Sequence, residues 1–563
     1  YLSAEGMASN HSGDRSKRYL LAATRPVKSP LGPTCRPVKC FLQFYFRNFW
    51  RLEARRGGRP SWPWVIETMS LQDADANDAG FGARIRSAIF WRSGSQIVSQ
   101  MMSWVVTLAV IRLLDPSDYG LFAMTQVILN FATFLNGYGL VSALVQSDKL
   151  DSHRLRQAFT IMLLLNGSLA LLQLGIAPIA ADYYDQPMVA DLLRVQALLY
   201  LSTPFISIPE AIMGRALDFK RPALVNLIAA IASAAVALVG ALSGWGVWTL
   251  VFAPIAGFWV KGLGYVLATG FRPIPTFDFR GTGAMVAYGA SLLGGQLFWI
   301  IQSQADIFIG GRVLEPHQLG LYAEALFLTQ IFVSKFIPPL NDVAFPAYAR
   351  MQKDPSRVAW SFCKAVRLLL LISCPVYLGM AVTAEPLVET LFGAKWLEMA
   401  PFVAVLALAM PFMTLQVMFA PVSNALGRPG TTARIAGVGA VLMPVAFLIG
   451  ISFGAIGLAW AWLGAFPILT IVTARLAGAP MGLRLIDLVR AAAPGLGCAI
   501  LMAGVVLAVD RILPPLAAPV RLAVLVPTGG IAFLAALMLC ARGTLMELVA
   551  LVIRRAPPVQ APA

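Results

Sequence analysis

Long apolar stretches alternate with short polar stretches along most of the chain, from about residue 87 onward. With a window of about 19 residues, fourteen stretches are apolar enough to span a bilayer, which takes about 20 helical residues. The predicted spans are 87–111, 120–144, 157–181, 189–213, 223–243, 246–269, 284–311, 321–345, 360–383, 399–424, 432–452, 455–475, 488–509 and 520–541. The pattern predicts an all-α polytopic membrane protein with about 14 transmembrane helices.

Composition excludes an ordinary soluble protein. Hydrophobic residues make up 58% of the 563 residues and charged residues only 13%, with a mean hydropathy of +0.71. A typical soluble protein is about half apolar and about a quarter charged. Because a soluble core could not bury this much apolar surface, we expect the spans to lie in a bilayer.

Lys and Arg residues are concentrated in alternate loops. If the residues before the first span are cytoplasmic, 21 Lys and Arg residues fall in the cytoplasmic loops and termini and six fall in the loops on the other side. Short cytoplasmic loops of membrane proteins carry an excess of Lys and Arg. The distribution therefore predicts that both termini are cytoplasmic, which agrees with an even number of spans.

One polar turn occurs twice in the sequence. RLLDPSDYGLFA (112–123) and RVLEPHQLGLYA (312–323) share six of twelve residues, including an arginine, a proline and a glycine. Similar apolar composition does not explain a match at such residues. Further matches occur at offsets of 200 to 208: Gly94 with Gly294, Pro204 with Pro411, Arg221 with Arg428, and Gly246 with Gly454. These matches indicate an internal duplication.

Each copy of the duplication holds six predicted spans. Because six is even, the second copy enters the membrane in the same direction as the first, which predicts two six-helix parallel-repeat bundles. We place the bundles at 84–281 and 282–480, followed by two additional C-terminal transmembrane helices in 481–545 and a cytoplasmic tail, 546–563. Two such bundles can enclose a central cavity and give alternating access when one rocks against the other.

The N-terminal extension, 1–83, does not follow the membrane pattern. Residues 1–68 hold 12 Lys and Arg residues against 4 Asp and Glu residues, and Met69 begins a short acidic stretch. We expect 1–68 to be non-native or disordered, and we expect no nucleic-acid partner. The alternative is a functional basic arm that binds nucleic acid or acidic lipid.

Residues suited to conventional catalysis are few. The chain has three histidines, none of them in a predicted span, and its sequence has no zinc-type cluster and no phosphate-binding glycine loop. The cysteines of the membrane region are explained as small apolar packing residues. The sequence therefore predicts a protein that is not an enzyme, with no catalytic residue, no metal site and no cofactor.

Ionisable residues inside predicted spans are the site candidates, because a charge at membrane depth is costly unless it is paired or faces water. Lys335 in the eighth span is the main candidate to contact an anionic substrate, with snorkelling or pairing to an acid as the alternative. Arg92 and Lys261 are further substrate-binding candidates, although snorkelling toward the cytoplasmic face is the favoured explanation for both. Asp306 in the seventh span could couple transport to an ion, hold a cation or make structural hydrogen bonds.

Three long segments resemble one protein family. They are QADIFIGGRVLEPHQLGLYAEA (304–325), FPAYARMQKDPSR (345–357) and LFGAKWLEMAPFVAVLAL (391–408), and RLLDPSDYGLFA is similar to the family's first hairpin. Together they resemble bacterial polysaccharide or O-antigen flippases of the Wzx and WzxC type, in the multidrug/oligosaccharidyl-lipid/polysaccharide exporter superfamily, over about residues 84–480. Besides Asp306, the residues that match the family pattern are Gly310, Arg312, Gly320 and Tyr322.

The resemblance implies a transporter of the bacterial inner membrane. Its implied substrate is an undecaprenyl-pyrophosphate-linked oligosaccharide, moved from the cytoplasmic to the periplasmic leaflet for exopolysaccharide, capsule or lipopolysaccharide O-antigen assembly. A coupling ion and polysaccharide-assembly proteins are further partners that the resemblance allows, besides the lipid bilayer. The alternatives are a cation-coupled multidrug exporter of the same superfamily, a lipid II flippase, and a membrane-embedded glycan polymerase or ligase.

Overall fold

The computed structural model describes residues 78–134, 136, 152–215, 218–272, 274–280, 282–283 and 294–546. Contacts divide the chain after Phe81, and apart from its first residues the helical fold below belongs to the second unit, Gly82–Ala563. The predicted extension 1–68 and nearly all of the predicted tail 546–563 lie outside the described residues.

The described part of the chain forms α-helices and short 3₁₀ helices and contains no strand. The first predicted bundle, which we call the N-terminal bundle, contains the helices α1 (Asp78–Leu113), α2 (Pro116–Phe134), α3 (Ser152–Tyr184), α4 (Pro187–Gln196), α5 (Leu198–Arg215), α6 (Lys220–Leu242) and α7 (Trp248–Thr269). Those of the C-terminal bundle are α8 (Gly294–Val313), α9 (Pro316–Met351), α10 (Pro355–Val382), α11 (Ala384–Leu391), α12 (Ala400–Val417), α13 (Phe419–Ala425), α14 (Pro429–Gly450) and α15 (Gly454–Gly478). Two further helices follow, α16 (Leu485–Ile512) and α17 (Ala518–Cys540).

Eleven helical stretches among the described residues are long and apolar enough to cross a membrane. One of them, Pro429–Met481, is 53 residues long and contains both α14 and α15. Helices α2 and α8, which correspond to the second and seventh predicted spans, are not among the eleven. The predicted all-α membrane fold is confirmed, and the count of about 14 spans stays a prediction.

Most helices pack mainly on helices of their own bundle, whereas α2 packs mainly on α9 of the other bundle. In the N-terminal bundle α6 and α5 pack on α7, and α3 packs on α4 and α5. In the C-terminal bundle α14 packs on α15 and α8, and α12 packs on α15 and α10. The two bundles meet mainly through α2 and α3 on one side and α8 and α9 on the other, while α16 and α17 extend the C-terminal bundle beside α10 and α11.

The repeated turns adopt the same local structure. Pro116 and Pro316 are the first residues of α2 and α9. Proline suits this position because the first backbone N–H of a helix has no partner within the helix, and because the fixed φ of proline is already helical. In the preceding helices, the amides of Leu114 and Leu314 donate to the carbonyls four residues earlier, at 2.9 and 2.8 Å. Each turn therefore ends one helix and starts the next without a long loop.

A second repeated position also has a structural explanation. Gly246 and Gly454, which correspond at an offset of 208, have φ values of 54° and 75°. Both lie in the left-handed region that favours glycine over residues with a Cβ. Gly246 precedes α7, and Gly454 begins α15. The repeat thus extends to the turn before the sixth helix of each copy.

Candidate functional site between the two bundles

The two repeated turns lie against each other across the interface between the bundles. A Cβ placed on Gly120 of α2 would lie 1.8 Å from the carbonyl oxygen of Pro316, at the start of α9. A Cβ on Gly320 would lie 1.8 Å from the carbonyl oxygen of Pro116, at the start of α2. Only glycine permits this reciprocal backbone contact, since any larger residue would force the two helices apart.

The repeated arginines join the bundles in the same reciprocal way. Arg312 donates from Nη1 to the carbonyl oxygen of Tyr183 at 2.6 Å and to that of Asp182 at 3.4 Å, at the end of α3. Arg112 donates from Nε to the carbonyl oxygen of Leu391 at 3.0 Å and from Nη2 to that of Thr390, at the end of α11. Carbonyls at a helix C-terminus are unpaired and partly negative, which makes them suitable acceptors for a guanidinium.

The acceptors of the two arginines correspond to each other in the repeat. Asp182 and Thr390 are separated by 208 residues, and so are Tyr183 and Leu391, which is an offset found in the sequence matches. Each bundle therefore presents one arginine and one helix C-terminus to the other. The contact has an approximate two-fold symmetry, as parallel repeats predict.

Aromatic side chains surround both arginine contacts. The ring of Tyr183 stacks on Phe308 with centroids 4.6 Å apart. On the other side of the symmetry axis, Tyr119 packs edge-on against Trp396 at 5.4 Å, and Trp396 Nε1 donates to the carbonyl of Ile111 at 3.0 Å. We call the region formed by residues 111–120, 182–184, 310–320 and 390–396 the closed end. Arginine bonds, glycine contacts and stacked rings together hold the two bundles in contact there.

One face of α9 continues from Gly320 away from the closed end. At about 100° per residue, Glu324, Ile331, Lys335 and Asp342 lie within about 60° of Gly320 around the helix axis. We call this face the α9 stripe. Because Gly320 contacts α2 and Glu324 is within electrostatic range of Tyr119, the first turns of the stripe face the N-terminal bundle.

Lys335 lies on the α9 stripe with an exposed side chain. It follows Gly320 by 15 residues, which is about 22 Å along a helix axis. Helix α9 continues through Pro338 and Pro339 to Met351, and its 36 residues span about 54 Å, more than the about 30 Å of a hydrocarbon core. Among the described residues, none forms an ion pair with Lys335.

Glu324 is a second charged residue on the α9 stripe, and it is not one of the candidates predicted from the sequence. It lies one helical turn after Gly320, is partly buried, and is within electrostatic range of Tyr119 in the other bundle. Glu324 meets the same criterion as Lys335, because it is an ionisable residue inside a predicted span. Its spacing of four residues from Gly320 places it on the interface side of the helix.

Asp306 is fully buried among α8, α9 and α15. Its Oδ2 accepts hydrogen bonds from the Tyr322 hydroxyl at 2.8 Å and from Trp462 Nε1 at 3.2 Å, and its Oδ1 accepts from the Ile307 amide at 2.8 Å. Trp462 Nε1 also lies 2.8 Å from the Tyr322 hydroxyl. Both carboxylate oxygens are therefore occupied by donors, an arrangement that satisfies a buried carboxylate without a cation.

The other two substrate-binding candidates are not brought to the α9 stripe by any described contact. Lys261 in α7 lies over the ring of Tyr265, one turn further along the same helix, at 5.2 Å from the ring centroid. Arg92 is in α1, and its side chain lies outside the described residues. Their roles in substrate binding remain predictions.

The residues of the family pattern all occupy helix contacts. Gly320 and Arg312 belong to the closed end, and Tyr322 is part of the Asp306 network. A Cβ on Gly310 would lie 3.0 Å from Leu458 Cδ1 of α15. Each of these contacts lies at or beside the closed end.

Comparison with known proteins identifies the family. A family model described as "Polysaccharide biosynthesis protein" matches residues 109–401, more than half of the chain. The chain belongs to this polysaccharide biosynthesis protein family. The matched region begins in the last turn of α1 and ends at the start of α12, so it includes the closed end and the whole of α9.

Relatives in the family of polysaccharide biosynthesis proteins are distant in sequence. The succinoglycan biosynthesis transport protein ExoT of Rhizobium meliloti is 24% identical over 362 residues, which cover 64% of this chain and 73% of ExoT. The lipopolysaccharide biosynthesis protein WzxC of Escherichia coli is 22% identical over 322 residues, which cover 56% of this chain and 65% of WzxC. The predicted resemblance to polysaccharide flippases is confirmed.

The fold of this family member is shared with a solved flippase. The lipid II flippase MurJ in its inward closed conformation superposes with a TM-score of 0.63 and 14% identity, over 80% of this chain and 99% of MurJ. At this identity the likeness shows the fold alone. The predictions of a role in polysaccharide biosynthesis, a transporter fold and a multi-pass bacterial membrane protein are confirmed.

Proposed function

We propose that the protein is a flippase that moves an undecaprenyl-pyrophosphate-linked oligosaccharide from the cytoplasmic to the periplasmic leaflet of the bacterial inner membrane. It has no enzymatic activity in this proposal. Alternating access takes place between bundles at 84–281 and 282–480, with both termini cytoplasmic. Family membership, a relative named as a transport protein and the fold of a lipid II flippase support the proposal.

The substrate sets the physical requirement for such a protein. A glycan and a charged pyrophosphate cannot cross hydrocarbon unaided, because their polar groups would lose water without gaining partners. The polyprenyl tail can remain in lipid throughout. A polar space between two bundles, open sideways to the bilayer, therefore has to carry only the head group.

The reciprocal closed end is the observation that carries the proposal. In the orientation predicted from the Lys and Arg residues, the repeated turns lie at the periplasmic face. The closed end then seals the periplasmic side, and the α9 stripe is accessible from the cytoplasm. Lys335 would meet the pyrophosphate, since an ammonium group makes strong charge-assisted hydrogen bonds to phosphate oxygens.

Export requires the closed end to open. Arg112 and Arg312 must leave the helix carbonyls, and Gly120 must separate from Gly320. At these exposed positions each hydrogen bond contributes about 0.5–1.5 kcal/mol, so the four bonds together stabilise the closed state by several kcal/mol. A substrate or coupling ion can open the periplasmic side only through a higher affinity for the open state.

Asp306 acts in this proposal as a brace rather than as the ion-coupling site. Donors from Tyr322, Trp462 and the Ile307 backbone take up three of the about four lone-pair positions of its carboxylate, which leaves little room for a cation that needs several oxygen ligands. The brace joins α8, α9 and α15, and it fixes the part of α9 that carries Gly320 and Glu324.

The test is export of lipid-linked glycan in a deletion strain. The strain should accumulate lipid-linked oligosaccharide on the cytoplasmic leaflet, and the full chain should restore export. Lys335→Ala should fail to restore it at normal membrane levels. Lys353→Ala removes the same charge from an exposed position just after α9 and should restore export as well as the full chain does.

Other outcomes would replace the proposal. The α9 stripe carries the acids Glu324 and Asp342 as well as Lys335, so its charge alone does not separate an anionic from a cationic substrate. If deletion leaves glycan export unchanged and alters resistance to organic cations, the protein is a multidrug exporter. If the lipid-linked glycan reaches the periplasmic leaflet but stays unpolymerised or untransferred, the protein is a polymerase or ligase.

A further inference from the structure

A cavity of about 250 Å³ lies inside the N-terminal bundle, between α2, α4, α5 and α7. Its polar lining consists of amides and hydroxyls, and its remaining walls include the rings of Phe122 and Phe258. The polar residues are Gln126, Thr133, Asn136, Gln196, Tyr200 and Thr203. No lining residue among those described carries a charge, which separates this cavity chemically from the α9 stripe.

Two amide oxygens in the cavity wall have no hydrogen-bond partner among the described residues. They are Oε1 of Gln196, a residue only 1% exposed, and Oδ1 of Asn136. The nitrogens of the same amides donate to Thr125 Oγ1 at 2.9 Å and to Thr203 Oγ1 at 3.1 Å. A buried acceptor without a donor is costly, and native proteins rarely leave one in place without a reason.

The hydroxyl of Tyr200 is held by a separate chain of hydrogen bonds. It donates to Gln173 Oε1 at 2.6 Å, and Gln173 Nε2 donates to the carbonyl of Leu193 at 2.7 Å. The ring of Tyr200 is 1% exposed, so its position at the cavity wall is rigid. The cavity is thus bounded on this side by a side chain whose orientation is already determined.

The polar lining is specific to the N-terminal bundle. At the repeat offsets of 200 and 207, the six polar lining residues correspond to apolar residues of the C-terminal bundle. At an offset of 208, Pro254 in the cavity wall corresponds to Trp462, whose large side chain belongs to the Asp306 network. The buried apolar counterparts are Leu326, Val333, Val403, Ala407 and Met410. One copy of the duplication is therefore filled where the other keeps a polar cavity.

We propose that this cavity binds a single uncharged sugar residue of the lipid-linked glycan, an inference that rests on the proposed flippase function. Both free amide oxygens are buried beneath the cavity surface, so a rotation of the Gln196 and Asn136 amides would bring them to the sugar hydroxyls that donate to them. The C–H faces of a pyranose ring would pack against Phe122 and Phe258, which line the cavity. The volume is below the about 300–1,000 Å³ typical of sites for drug-sized ligands, so one ring fits and a longer glycan does not.

A metal cation is the less suitable occupant. Cations in protein sites of oxygen ligands are usually held by carboxylates or by six or more oxygens, and no acid lines the cavity among the described residues. A sugar hydroxyl instead supplies the donor that each free amide oxygen lacks. Specificity would come from these buried acceptors, because an analogue without the matching hydroxyl would leave them unpaired.

Saturation-transfer NMR on the purified full chain in detergent tests the proposal. The probes are the methyl glycosides of glucose, galactose and N-acetylglucosamine, for which an affinity on the order of millimolar is expected from their size. At least one glycoside should show transfer. Gln196→Val, which installs the residue of the other bundle, should weaken its binding about tenfold, the effect of losing one hydrogen bond.

Two further variants control the measurement. Thr203→Met, which installs the residue type of Met410, fills part of the cavity and should abolish transfer, so the result does not depend on the folding of one variant. Thr473→Val removes a buried hydroxyl in α15, away from the cavity, and should leave transfer unchanged. No transfer from any glycoside, or binding of sodium ions in place of glycosides, overturns the proposal.

Failure of the cavity proposal and failure of the flippase proposal are separable. Glycan export in the deletion strain tests the flippase without reference to the cavity. If the full chain restores export but binds no glycoside, and Gln196→Val exports normally, only the cavity proposal is wrong. If glycosides bind while deletion leaves glycan export unchanged, the flippase proposal is wrong.

Discussion

Gly320 lies so close to Gly120 that a Cβ on Gly320 would be 2.9 Å from the amide nitrogen of Gly120 and 1.8 Å from the carbonyl oxygen of Pro116. The start of α9 thus packs on the start of α2 backbone to backbone. Because backbone atoms cannot move aside as a side chain can, the closed end requires that residues 120 and 320 carry no side chain.

Gly320→Ala should open the closed end. Inserting a methyl group into this contact is expected to cost the closed state about 3 kcal/mol, which corresponds to about a hundredfold faster amide hydrogen exchange in residues 116–120. Mass spectrometry of exchanged peptides measures the change. Gly167→Ala in α3 has nothing within 4 Å of the new methyl group and should leave exchange at 116–120 unaltered. Equal protection in both variants would show that the contact is not a constraint.

Arg312→Ala should loosen the same region through its electrostatics. The substitution removes hydrogen bonds to the Tyr183 and Asp182 carbonyls, with an expected loss of about 1.5–3 kcal/mol. A cysteine introduced in place of Thr390, in a chain without its other cysteines, should react at least about tenfold faster with an impermeant thiol reagent.

The matched control for this arginine is Arg194→Ala. Arg194 pairs with Asp191 at 2.7 Å across one turn of α4, with both side chains about half exposed, and such pairs contribute little. Its loss should leave the labelling rate unchanged. A rate in Arg312→Ala equal to that of the control would contradict a role of Arg312 in holding the bundles together.

Trp462→Phe should destabilise the C-terminal bundle. It removes the donor shared by Asp306 and Tyr322, at an expected cost of about 1–3 kcal/mol, measured as a lower thermal unfolding midpoint in detergent. Trp460→Phe, at a position 55% exposed, is the control and should change the midpoint little.

Asp306→Asn should leave the dependence of glycan export on ions unchanged. Loss of that dependence would make Asp306 the coupling residue.

Arg521→Ala should weaken the attachment of α17 while sparing transport. Arg521 forms two hydrogen bonds to Asp510 of α16, at 2.7 and 2.8 Å, and a longer one to Glu385 of α11 at 3.3 Å. We expect a loss of about 1–3 kcal/mol in stability with glycan export intact. Arg511→Ala, at an exposed position near the end of α16, is the control and should change neither the stability nor glycan export. Loss of export at normal protein levels would instead make this pair part of the transport cycle.

The sequence predicted the parts of the fold that depend on local pattern. Apolar stretches identified the helices, and the repeated Arg, Pro and Gly identified the two equivalent turns. That the turns contact each other could not be predicted, because a repeat specifies equal local structure and says nothing about pairing across an interface. Arg112 and Arg312 were matched in the repeat, yet their carbonyl acceptors lie 129 to 279 residues away.

The candidate site was predicted less completely than the fold. Lys335 was selected by its charge at membrane depth, while Glu324 was overlooked although the same rule applies to it. The cavity of the N-terminal bundle could not be predicted from the sequence. Gln196 and Asn136 stand out only because their side-chain oxygens are buried without hydrogen-bond donors. Three-dimensional packing creates that condition, and no spacing in the sequence signals it.

The reciprocity of the closed end has a consequence for the origin of the chain. Each bundle offers an arginine, a proline and a glycine to the same features of the other, which is the arrangement of an isologous contact in a homodimer. A lone six-helix unit with this surface is self-complementary and can pair with its own copy. Fusion of two such units into one polypeptide would leave the pairing intact and free the copies to diverge, one toward a filled interior and the other toward a polar one.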